Sequence, residues 1–210
     1  APQTDSLRMG LAGPPQNLDP RLATDATSER INRLLYRRLV EFDANSQAVP
    51  SLATWERLAP TRYRFTLGGE GRAFAHGGRL DADDVKATFE SLLNPATGSP
   101  HRQLLSIIER VAVLDSEQLE FHLRHPDPQF PAYLSIGILP ADLIARGHGF
   151  RRHPIGSGPF RLVDWPEQGR LRLQRRWDGR LFEFVVVKDP GVRAMKLLRG
   201  EIHMLQNDLS

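Results

Sequence analysis

Apolar residues recur along this chain at two spacings, and each spacing predicts an element. Leu7, Met9 and Leu11 alternate with Arg8 and Gly10, which predicts a first strand over 7–11. Ile31, Leu34, Leu35 and Leu39 fall at helical spacing, which predicts a helix capped by Ser28 and running to Val40. Tyr63, Phe65 and Leu67 alternate again and predict a strand over 62–67 with one buried face. The stretch Ala73–Leu93 reads as a turn at Gly77-Gly78, an N-cap at Asp81, acids at Asp83 and Asp84 in the first helical turn, and an apolar face of Val85, Phe89, Leu92 and Leu93. Asn94-Pro95 stops that helix.

The second half of the chain is more finely divided. A short helix is expected over 101–110, a hairpin from 111–114 and 119–123, and helical turns at 130–134 and 140–144. The glycine- and proline-rich loop 153–160 delivers strands at 160–165 and 170–177. Phe182–Val187 is nearly all apolar, the pattern of a strand buried on both faces. A helix ended by Gly200 and a strand from Glu201 complete the expected order. This sequence of elements is α/β (α+β mixed), with antiparallel hairpins inserted into a discontinuous domain.

Composition narrows the function classes. The chain has 210 residues, no cysteine and a formal net charge of +3. It is long enough for a sizeable core, and no apolar run approaches a bilayer span. The absence of cysteine excludes disulfides, thiolate catalysis and cysteine-based zinc sites. No leader is visible at the start of the chain, an expectation that fits a mature secreted form or a cytosolic protein alike. Arg151-Arg152 and Arg170, Arg172, Arg175 and Arg176 are the densest basic spots, but no aromatic interleaving accompanies them, so no nucleic-acid partner is expected. An anion- or nucleic-acid-binding protein that uses these arginines stays open as a third reading.

The seven histidines do not form a metal pattern. His122 and His125 are spaced so that a strand points them to opposite faces, and His148 and His153 flank two arginines. Ser157, in Gly156-Ser157-Gly158, lacks the strand-before, helix-after context of a nucleophile elbow, because Pro159 and a strand follow it. No metal, no cofactor and no enzyme activity are expected.

Six stretches in order resemble one family, the extracellular solute-binding proteins, family 5, the peptide- and nickel-binding receptors of ATP-driven (ABC) importers. They are Asn17-Leu18-Asp19-Pro20, then Leu34-Leu35-Tyr36 with Leu39-Val40, Val49-Pro50-Ser51-Leu52-Ala53 before Trp55, Phe74–Glu90, Ile155–Phe160, and Asp189-Pro190 with Val192-Arg193 and Leu197–Ile202. His76-Gly77-Gly78 stands where the family has His-Asp-Gly, Ser157 replaces Thr, and His203 replaces Asp.

The resemblance implies a periplasmic-binding-protein type II-like first lobe, with residues 1–40 and 155–210 as the core, its return strands absent, and 41–154 as an inserted subdomain. It implies a periplasmic receptor that captures a small solute or short peptide without covalent chemistry, between two lobes, and then docks on a membrane permease. By the motif match, Gly13, Pro14, Pro15 and Gln16 would face the cleft, and so would His101. Pro14 and Pro15 donate no N–H, so that edge would offer a ligand only carbonyls, and the same prolines also read as a plain strand terminator. Likewise, His101 reads as an ordinary helix-start residue on the surface. Self-association through the uncovered cleft face is expected of a lone lobe. The alternative is a stand-alone interaction or sensory module that binds a protein partner through that face.

Overall fold

The computed structural model describes residues 6–166 and 170–187. Its elements run β1 (Leu7–Leu11), α1 (Ala26–Leu35), β2 (Val40–Phe42), β3 (Ala48–Pro50), β4 (Ala53–Ala59), β5 (Arg62–Leu67), α2 (Ala82–Leu93), α3 (Arg102–Leu105), β6 (Ile108–Val113), β7 (Gln118–Leu123), α4 (Ala141–Ala145), β8 (Phe160–Asp164), β9 (Leu171–Arg175) and β10 (Leu181–Val186). One sheet has the order β1-β10-β9-β8, in which β1 and β10 are parallel and the rest antiparallel. A second, wholly antiparallel sheet has the order β4-β5-β7-β6, and β2 and β3 form a separate hairpin. This is the mixed α/β architecture with inserted hairpins that the order of elements implies.

Each sheet has its own core. Met9, Leu11, Ile31, Leu34, Phe160 and Phe182 pack around the β1 sheet. Phe65, Val85, Phe89, Phe121 and Phe130 pack around the β5 sheet, with Phe121 edge-on to both Phe65 and Phe89. Membership changes from the first core to the second between Tyr36 and Leu39, and back between Ile138 and Leu139.

Helix α2 follows the sequence reading. Asp81 accepts the N–H groups of Asp83 and Asp84 while the Asp84 carboxylate accepts the N–H of Asp81, a reciprocal capping box. Gly77 and Gly78 have φ of 100° and 86°, the left-handed backbone that only glycine adopts cheaply.

Three expectations need correction. Helix α1 begins after Asp25, which accepts the N–H of Ser28, and ends at Leu35, not at Val40. Tyr36 turns extended because its ring enters the first core and its hydroxyl donates to the Leu18 carbonyl at 2.8 Å, while Leu39 and Val40 belong to the second core. The helix expected over 101–110 is a single turn, because Ile108–Val113 pairs with β7 as the edge of the second sheet. Strand β10 is not buried on both faces: Phe182 and Phe184 are buried, Glu183 carries ion pairs to Arg8 and Arg170, and Val186 is exposed. The helix and strand expected after Val187 lie outside the described residues.

Candidate ligand-binding face

Strand β1 ends at Leu11, and the chain leaves the sheet through Gly13-Pro14-Pro15-Gln16. Pro15 is buried, whereas Pro14 and Gln16 are exposed. The segment is anchored from beneath by one side chain. The buried Ser28 hydroxyl accepts the N–H of Gln16 at 2.7 Å and that of Asn17 at 2.9 Å. Ser28 therefore acts as a clamp on the loop and not as the helix cap its sequence context suggested. With two prolines and the Gln16 amide taken up, Gly13 is the one residue of the four whose N–H has no partner among the described residues.

The next residues form a polar knot. Asp19 is 3% exposed and accepts from Arg21 three times, from its backbone N–H and from Nε at 3.0 Å and from Nη2 at 2.7 Å. The Asn17 side chain accepts the N–H of Asp19, which closes the Asn-Leu-Asp-Pro turn. Arg21 reaches on to Ser91 at 3.2 Å, and Ser99 donates to the Arg21 carbonyl at 2.5 Å. Tyr36 lies under this knot. Burial pushes its phenol well above the usual range, and the Asp19 carboxylate adds to that rise.

His101 is attached to the same knot from the other side. Its N–H donates to Ser99 Oγ at 3.1 Å, and its ring Nε2 lies 3.0 Å from the Ala23 carbonyl oxygen, so Nε2 carries the donating proton. Gly13–Gln16 thus lead directly into one connected segment, residues 17–25, to which His101 is bonded at Ala23. The sequence reading missed Ser28, Asp19 and Arg21 as the residues that hold this edge; the Asx turn of Asn17-Leu18-Asp19 was the available signal.

Other candidates separate. His122 lies 3.5 Å from Glu120, and the His125 ring lies 3.3 Å from the Pro126 carbonyl oxygen. No group of three or more His, Asp or Glu residues placed to hold a metal occurs among the described residues. A groove of 1330 Å³ elsewhere on the molecule is lined by none of Gly13–Gln16 or His101.

Residues 47–209 match the family described as "Bacterial extracellular solute-binding proteins, family 5 Middle". The chain is 30% identical over 95% of its length to "Di/tripeptide-binding protein 2" of Pseudomonas aeruginosa, and covers 44% of that protein. It is also 30% identical over 75% of its length to the "HTH-type transcriptional regulator SgrR" of Shigella dysenteriae, of which it covers 28%. Among solved structures, the oligopeptide-binding protein AppA of Bacillus subtilis, in complex with a nonapeptide, superposes with a TM-score of 0.82 at 24% identity, over 94% of this chain and 43% of that one. The chain spans less than half the length of these relatives.

Proposed function

Since the chain belongs to the bacterial extracellular solute-binding proteins of family 5, we propose that it forms the first lobe of a periplasmic receptor that captures a short peptide or similar small solute for an ABC importer. The family is one of binding proteins, and the reading carries no catalytic step. The observation that carries it is the match to a di/tripeptide-binding protein along 95% of this chain.

In this reading Gly13–Gln16 and His101 border the solute in an interlobe cleft. Pro14 and Pro15 have no amide hydrogen and Ser28 occupies the Gln16 amide, so the edge presents carbonyl oxygens, the Gln16 side chain and the Gly13 N–H, which has no partner among the described residues. Such an edge suits the donors of a peptide, its N–H groups and terminal ammonium, better than its carboxylate. Closure of a second lobe then excludes water and creates the surface that docks on the membrane permease. The division into a core (1–40 and 155–210) and an insert (41–154) belongs to the same proposal. The two separate cores support it, and the packing of Leu139, Leu143 and Phe150 on the β1 sheet favours a return point nearer 139 than 155. Self-association of the isolated lobe through its cleft face is part of it too, and no nucleic-acid partner is invoked.

The test is calorimetric titration of di- to tetrapeptides into the full-length protein and into the 210-residue chain alone. Tight binding by the full-length protein, weakened by His101→Ala and Gln16→Ala, is the expected result. The chain alone should bind weakly, because half of the contacts and all of the enclosure are missing. A full-length protein that binds none of the peptides, or an isolated chain that binds one at sub-micromolar concentration, overturns the reading.

The similarity to a protein named as a transcriptional regulator favours one second reading, a sensory module that passes ligand occupancy to a protein partner. Pull-down with the cognate permease separates the two, since only the receptor should bind it.

A further inference from the structure

The groove of 1330 Å³ lies at the other end of the first sheet from Gly13–Gln16. Strands β1 and β10 are parallel, with Leu7 opposite Phe182. Arg176 and Trp177, which line the groove, precede β10, whereas Gly13–Gln16 follow the end of β1. The groove then runs along the outer side of α1 and is a different place from the proposed solute face.

Ser157 and Gly158 line it, on a loop from Gly156 to Gly158 that is pressed onto the end of α1. Gly158 donates its N–H to the Leu35 carbonyl at 2.9 Å, and Ala75 donates to the Gly156 carbonyl at 3.0 Å. Arg176 Nη1 bridges the carbonyls of Ala73 at 2.7 Å and Gly158 at 3.1 Å. Ser157 is thereby fixed beside Leu35-Tyr36, and it lines the groove together with Arg37 and Arg38.

What these contacts leave over is a set of donors with no acceptor among the described residues. Ser157 is 3% exposed, and its hydroxyl has no partner among the described residues. Arg38 is 7% exposed; among the described residues its Nε has no partner and its Nη1 reaches only Ser135 Oγ, at 3.4 Å. Arg37 Nε is buried and likewise has no partner among the described residues. Buried polar groups of this kind cost free energy until something accepts from them. The local charge is positive as well: six arginines line the groove against Glu29, Glu41 and Asp43.

We propose that this groove binds a phosphate-type oxyanion, with Arg37, Arg38 and the Ser157 hydroxyl as its donors. Guanidinium forks and a hydroxyl suit the several oxygens of a phosphate, and the excess of arginines over carboxylates suits a dianion. The space is far larger than one phosphate, and the aromatic side chains of Phe42 and Trp177, 41% and 59% exposed, lie along it. The phosphate is therefore carried on a larger body, either a free phosphate ester or an anionic lipid headgroup. Burial holds the Arg38 pKa below its ordinary value, and a bound anion would oppose that shift.

The intact protein that carries this chain is titrated with inorganic phosphate by calorimetry and sedimented with phosphatidylglycerol–phosphatidylcholine vesicles, pure phosphatidylcholine being the control. Arg37→Gln should weaken phosphate binding about tenfold or more, and Ser157→Ala about threefold to tenfold, the losses expected for charge-assisted hydrogen bonds. Arg146→Gln, outside the groove, should change neither. Ser157→Ala removes a hydroxyl that bonds no other group among the described residues, so it carries the test even where Arg37→Gln fails to fold. Saturable phosphate binding without vesicle retention assigns a free phosphate ester. Vesicle retention that phosphate competes away and Arg37→Gln abolishes assigns a lipid headgroup. Absence of both kinds of binding overturns the proposal, and so does an equal loss in Arg37→Gln and Arg146→Gln, which would mean diffuse positive charge alone.

Discussion

Asp84 accepts the backbone N–H of Ala141 through Oδ1 at 2.7 Å, across 57 residues of sequence, while its Oδ2 accepts the N–H of Asp81 at 2.9 Å. One carboxylate thus caps α2 and holds the first turn of α4 against it. Thr88, one helical turn on, reinforces the junction: its hydroxyl accepts the N–H of Leu139 at 2.9 Å. Asp84→Ala leaves two N–H groups without their acceptor. It should lower unfolding free energy by about 1–3 kcal/mol, the cost of leaving buried donors unsatisfied. Denaturant unfolding measures this, and a loss within error would show that water takes over the role.

The same residue gives a pH dependence. Burial pushes the Asp84 carboxyl up to about 6, against the pull of the Ala141 and Asp81 amides, whereas the unfolded chain titrates it near 3.8. The native state therefore holds this proton more tightly. The group's favourable contribution is complete below the unfolded value and is lost as pH rises through about 6. Asp84→Asn should flatten the decline of the unfolding midpoint between about pH 4 and about pH 7 relative to the parent. Parallel pH profiles for the two proteins would refute the assignment.

Ser28→Ala should release the loop before the first helix. It strips the acceptor from the Gln16 and Asn17 amides at once. Hydrogen exchange at those two amides should accelerate, with a loss of about 1–3 kcal/mol in stability. Peptide affinity of the full-length protein should fall as well if this loop borders the solute. Unchanged exchange at Gln16 would remove Ser28 from that role.

Gly156 and Gly158 have no room for a side chain. A Cβ at Gly156 would press into the Leu35 carbonyl and the Tyr36 ring, and one at Gly158 into the Leu35 backbone, which cannot retreat. Gly156→Ala and Gly158→Ala should each destabilise by about 1–3 kcal/mol or more, the cost of overpacking. Gly13→Ala meets nothing within 4 Å and should alter stability by less than about 0.5 kcal/mol. Thermal unfolding of the three variants checks the order, and a neutral Gly156→Ala would contradict the packing.

Much of the fold was legible in single residues. The alternation of Tyr63, Phe65 and Leu67 placed β5, and all three are buried. Asp81 with Asp84 announced α2, and the capping box is there. The candidate face was less legible. Pro14-Pro15 marked where β1 ends, but nothing in the residues around Ser28 told a helix cap from a clamp on a loop 11–12 residues away. His101 was visible as a helix start, while its tie to the Ala23 carbonyl depends on a contact across 78 positions.

By itself, then, the sequence determined what short-range physics controls: the period of each strand and helix, the glycine turn at Gly77-Gly78, the cap at Asp81, and the motif order that marks the family. Tertiary structure decided where α1 stops, which core receives Leu39, what Ser28 holds, and that Arg38 and Ser157 line one groove with side-chain donors that have no partner among the described residues. The reason is range. Propensity, capping and turn chemistry act between residues a few positions apart, so a window of sequence contains both partners. Burial and long-range hydrogen bonds pair residues that only the packed chain brings together, and at Tyr36 they outweighed a helical pattern that ran on to Val40.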